Sequence, residues 1–107
     1  MIRFLVTWED PSDQVVFEQH YRDVHIPLGR QLPGLRRYTV SRDMSLVRGE
    51  RPYHMVSELD FDDVDALRAA FASPQGQATG RDVDELVRLT GATVRSVIYQ
   101  VEDVMAP

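Results

Sequence analysis

The sequence predicts an α+β domain of order β-α-β-β-α-β, a four-stranded antiparallel sheet with helices on one face. Three observations carry this. The first and last apolar runs alternate with period two, the segments between Ser12 and Leu28 and between Asp62 and Gly91 repeat apolar residues at helical spacing, and two extended stretches meet at the turn-like GERP. With 107 residues, no glycine- or serine-rich linker and no change of composition, residues 1–107 form a single domain.

Residues 2–8, IRFLVTW, put Ile2, Phe4, Val6 and Trp8 on one face of a first strand, which Asp10-Pro11 ends. Ser12 is the N-cap candidate for a helix from about residue 13, in which Val16, Phe17, Tyr21, Val24, His25 and Leu28 share one side. Pro27 removes a backbone donor and is expected to kink or end that helix beside His25. After Pro33-Gly34, the stretch LRRYTVSRDMSLVR and the stretch YHMVSELDF read as a hairpin turning near residues 49–52. Asp62 or Asp63 caps a helix carrying Val64, Leu67, Ala70 and Phe71, and Ser73-Pro74 opens a short helical segment. Its continuation, RDVDELVRLTG, stops at Gly91, and TVRSVIYQV is the last strand. This is the split βαβ, or ferredoxin-like, arrangement. Its outer strands carry apolar residues on both faces while helices cover only one, so a second copy packed on the open face, a homodimer, is expected.

Composition removes several mechanisms. There is no cysteine, hence no disulfide, thiolate nucleophile or sulfur-ligated metal. All twelve basic residues are arginine, so Schiff-base chemistry on lysine is absent. A net charge of −5 without a basic stripe argues against nucleic acid. No apolar stretch approaches a membrane span, and the amino-terminal run is too short for a signal segment, so the expected setting is the cytoplasm without membrane contact. No nucleotide fingerprint occurs, and no cofactor is called for. The acidic run Asp60, Asp62, Asp63 and Asp65 lacks the glycine and closing glutamate of a calcium loop and reads as a helix-start charge cluster.

Candidate chemistry concentrates between Phe17 and Tyr38. At about 100° per residue, His20 and His25 lie about 140° apart, with His25 close to Tyr21 and Leu28, so His25 faces inward and His20 outward. A gap of five, not four, argues against a shared metal, and no metal site is expected. Burial favours the neutral imidazole and a helix end the charged one, which leaves the direction of any His25 shift open. The plain reading of His25 is a core histidine bonded to nearby backbone; the functional one is an acid/base group in a cleft. Tyr38 is either core filler or a phenol donating to a ligand oxygen. On the third strand, Tyr53, Met55, Leu59 and Phe61 read as the core set, which turns His54 toward a partner subunit or solvent.

FEQHYRDVHIPLGRQLPGLRRYTVSRD, with its HxPL, LPGL turn and following tyrosine, resembles the signature of the EthD family of dimeric α/β-barrel proteins, and FASPQGQATGRDVDEL resembles the SPxGQ helical segment of the same family. The resemblance covers nearly the whole chain. It implies that His25 is the motif histidine, Pro27 its proline and Tyr38 the tyrosine after the turn, around a cleft between helices and sheet. The family is named for an operon of alkyl-ether degradation, and its fold relatives include cofactor-independent lactone isomerases, polyketide cyclases and small monooxygenases. The expectation is a hydrophobic small-molecule ligand, with His25 and Tyr38 as catalytic candidates. Tyr21, Trp8, Met44 and Met55 are candidates for the apolar wall, and His54 is a further ligand contact. A non-catalytic accessory or sequestering protein and a dimeric structural module are the alternatives.

Overall fold

A computed structural model describes all residues, 1–107. Alternation of apolar and polar residues builds four strands, β1 (Ile2–Glu9), β2 (Arg37–Ser41), β3 (Met55–Phe61) and β4 (Thr93–Gln100), and these pair antiparallel in the order β2-β3-β1-β4. The ferredoxin-like arrangement is therefore present. Register places Trp8 opposite Met55 and Val94, and Tyr38 opposite Leu59. Ile2, Val6 and Trp8 of β1 and Met55, Ser57, Leu59 and Phe61 of β3 point into the core under the helices.

Helix ends follow local chemistry. The cap of α1 (Gln14–His20) is Asp13, whose side chain accepts from the Val16 amide; Ser12, the expected cap, instead donates to the Thr90 carbonyl at 2.8 Å. Asp63 caps α3 (Val64–Ala72) and Ser73 caps α4 (Pro74–Thr90), which ends at Gly91 in the left-handed conformation. The expected short segment before the last strand is thus the longest helix of the fold. Asp62 pairs with Arg36 and Asp60 with Arg3, and Asp65 lies in the first turn of α3, so the acidic run consists of a cap, a first-turn carboxylate and two ion pairs.

Two expectations change. The hairpin between β2 and β3 exists, but residues 42–54 form a wide irregular connection in place of a tight turn. Tyr53 precedes β3 and is exposed, whereas His54 packs edge-on against Phe17 and its backbone N–H donates to the Trp8 carbonyl. His54 therefore lies against α1, because strand alternation does not begin until Met55.

The second change concerns Pro27. The helix does not break there. The rod continues from α1 through a π-helical segment (Tyr21–His25) into α2 (Ile26–Gly29), and the Ile26 N–H reaches the Tyr21 carbonyl, five residues back. The widened turn absorbs the proline, whose missing donor falls at the start of α2.

No helix is long and apolar enough to cross a membrane. On the face of the sheet away from the helices, Leu5 and Thr7 sit beside Val97, and Val97 and Tyr99 remain exposed.

Candidate functional site

Helices and sheet enclose a cavity of about 230 Å³. Its sheet side is built from Phe4, Val6 and Trp8 of β1, Tyr38 of β2, and Ser57 and Leu59 of β3. Tyr21, His25 and Gly29 close it from the first helical rod, Phe71 from α3, and Thr79, Gly80 and Val83 from α4. The lining is mostly apolar, with polar groups gathered into two sets.

The first set is His25 with Asp82. His25 is buried, 6% exposed, and its Nδ1 lies 2.8 Å from Asp82 Oδ2. Its ring packs on Tyr21 and edge-on to Trp8. Nδ1 holds the carboxylate as a donor, which fixes the tautomer and leaves Nε2 as the ring's acceptor, on a residue that lines the cavity. Burial lowers the His25 pKa below the usual histidine value; the hydrogen bond and charge of Asp82 oppose this, and His20 adds to it. The direction left open by sequence is thus downward, toward the neutral ring.

The second set is a run of hydroxyls. Tyr21 Oη lies 2.7 Å from Tyr38 Oη and 2.5 Å from Ser57 Oγ. Burial raises the pKa of both phenols, and the mutual Tyr21–Tyr38 contact raises that of Tyr38 further, so both stay protonated at neutral pH. Gly29 is required here: a Cβ would lie 2.8 Å from Tyr38 Cε2 and push the ring away.

Of the residues singled out from sequence, Trp8, Tyr21, His25 and Tyr38 line one cavity. Met55 is fully buried in the core that packs behind it, in the same cluster as Trp8 and Tyr21. Met44 lies outside, in the 42–54 connection, because β2 ends at Ser41. His54 also lies outside, near Glu18 at 4.0 Å.

The largest correction is His20. Its Nε2 lies 2.7 Å from the other oxygen of Asp82, so the two histidines share one carboxylate. The outward placement assumed α-helical pitch throughout; i→i+5 hydrogen bonding adds about one residue per turn to the α-helical 3.6 and returns residues five apart to the same face. Asp82 and Ser57 were missed. Both carried a signal: Asp82 falls on the buried stripe of α4 with Thr79 and Leu86, and Ser57 on the inward parity of β3, and buried polar groups require partners.

A family model described as the EthD domain matches residues 10–90. The chain belongs to the EthD family. This protein is 31% identical over 83 residues to an 11.0 kDa protein of the thcB–thcC intergenic region of Rhodococcus erythropolis, covering 78% of this chain and 81% of that one. An EthD-family protein of Bacillus halodurans superposes with a TM-score of 0.84 at 29% identity, over 95% of this chain and 99% of the other. SnoaB, a cofactor-independent oxygenase from Streptomyces nogalater, shares the fold at 17% identity and a TM-score of 0.69, over 99% and 97% of the two chains.

Proposed function

We propose that this EthD protein binds a hydrophobic small molecule bearing a carbonyl or phenol oxygen, and acts on it without a cofactor as an isomerase, cyclase or oxygenase of catabolic or secondary metabolism. The observation that carries the reading is an imidazole anchored at Nδ1 by Asp82 and lining an apolar cavity that paired phenols also line. His25 Nε2 takes a proton from an activated carbon or hydroxyl of the ligand. If Ser57 donates to Tyr21 and Tyr21 to Tyr38, the Tyr38 hydrogen is left to donate to the oxyanion that develops. For isomerisation or cyclisation the same nitrogen returns the proton; for oxygenation of an activated methylene dioxygen is co-substrate and oxidant, one oxygen atom becoming the new carbonyl and the other leaving as water with the two methylene hydrogens. The working unit is a cytoplasmic homodimer, supported by the apolar residues exposed on the open sheet face and by structural neighbours described as dimeric.

Trp8 is the single tryptophan and lines the cavity, which gives a built-in reporter. Titration with 4-nitroacetophenone, an apolar ketone that quenches indole fluorescence, is expected to quench Trp8 saturably, and Tyr38→Phe and His25→Ala are expected to weaken binding in samples that circular dichroism shows to be folded. Linear, unsaturable quenching, or variants that bind as the wild type does, would sink the proposal. Light scattering at micromolar concentration is expected to give the mass of two chains.

A further inference from the structure

We propose that His20, which does not touch the cavity, is a positioning residue that sets the basicity of His25 by competing with it for Asp82. The proposal rests on the reading of His25 as the cavity's base. The geometry is one carboxylate with each oxygen committed to a different ring, Oδ1 to His20 Nε2 at 2.7 Å and Oδ2 to His25 Nδ1 at 2.8 Å. One negative charge neutralises one imidazolium, and a second positive ring on the same carboxylate is repelled by the first. The pair therefore takes up one proton readily and a second one only with difficulty.

The surroundings decide which ring carries the first. The His25 side chain is 7% exposed, set between the rings of Tyr21 and Trp8, with Asp82 as its charged neighbour besides His20. His20 is 18% exposed and opens on an outer hollow with Asp23 of the π-helical segment, while Asp82 and Glu85 face it from α4, Glu85 being itself paired with Arg88. The His20 ring thus meets more solvent and more negative charge than the His25 ring. The outer ring draws on the same carboxylate that would stabilise charge on the inner ring, which lines the cavity. The carboxylate that orients His25 would by itself make it more easily protonated; burial opposes this first, and His20, by taking up part of that carboxylate, adds to the effect.

Ring-nitrogen NMR of the ligand-free full-length protein tests the arrangement without any substrate. In the wild type, the His20 and His25 titration curves are expected to be coupled, each showing an inflection where the other titrates. In His20→Gln, which keeps a donor for Asp82 but cannot carry charge, the His25 midpoint is expected to rise by about half a pH unit or more. In Asp82→Asn it is expected to fall, with loss of the Nδ1–H tautomer signature. Two independent single-site curves in the wild type, or an unmoved His25 midpoint in folded His20→Gln, would overturn the proposal. Failure of 4-nitroacetophenone to bind would remove the cavity reading while leaving the coupling measurable, so the two failures are distinguishable.

Discussion

Substitution of Gly80 separates the stability of the fold from the use of the cavity, because the two effects have opposite sign. Gly80 lies in the interior of α4, is exposed, lines the cavity at its mouth, and a Cβ placed there meets no heavy atom within 4 Å. A helical glycine costs about 1 kcal/mol relative to alanine, so Gly80→Ala is expected to stabilise by most of that amount. For a domain of this size this is a rise of about 4 °C or more in melting temperature. Gly80→Leu retains the helix-propensity gain and adds a branched side chain to the mouth of a cavity of only about 230 Å³. Its affinity for 4-nitroacetophenone is expected to fall at least tenfold, about 1.4 kcal/mol. Thermal melts followed by circular dichroism, with Trp8 quenching on the same samples, read both quantities. Wild-type affinity in Gly80→Leu would refute the placement of the mouth, and a lower melting temperature in Gly80→Ala would show that α4 is packed against something at that point.

Gly76→Ala is expected to act in the opposite way: its Cβ would come within 2.2 Å of the Ala70 carbonyl oxygen and 2.4 Å of Phe71 Cα, forcing α3 from α4 at a cost of about 2 kcal/mol, read as a lower denaturant midpoint; an unchanged midpoint would contradict it. Tyr21→Phe removes the hydroxyl shared by Tyr38 and Ser57 and leaves Ser57 Oγ buried without a partner, for a loss of about 1–3 kcal/mol in chemical denaturation, part of which Ser57→Ala in the same background recovers; equal stability of Tyr21→Phe and the wild type would be inconsistent with the network. His25 has a folded-state pKa below its unfolded value, so the unfolded chain binds the extra proton first; its contribution to stability is complete above about pH 6.5 and is lost as pH falls from there toward the folded value. The melting temperature of the wild type is therefore expected to drop between pH 7 and pH 5 more steeply than that of His25→Gln, and parallel profiles would count against a depressed His25.

The sheet and the helices were legible because their signals are local and periodic. β1, with Ile2, Val6 and Trp8 facing one way, and the caps at Asp63 and Ser73 needed nothing beyond side-chain alternation and capping chemistry. The cavity was legible in outline through Trp8, Tyr21, His25 and Tyr38, since helix phase and strand parity bring them to one interior. What escaped depends on long-range partners. Asp82 is separated from His25 by 57 positions, and nothing within α4 says which ring its carboxylate will meet. The end of β2 at Ser41 is likewise not visible in LRRYTVSRDMSLVR, whose extended character runs on past the point where pairing with β3 stops, and Met44 was misplaced for that reason.

The π-helical segment makes the histidine pair a property of helix winding as much as of residue type. Winding the same residues as regular α-helix, with none lost, would set the two histidines about 140° apart, whereas losing one residue between them would leave a gap of four and keep both on one face. In the first case both histidines would survive, yet only one could still reach Asp82. Among related genes, then, the spacing between His20 and His25 has to be read together with the winding of the helix: five with a π turn, or four without one, keeps the two rings on one carboxylate.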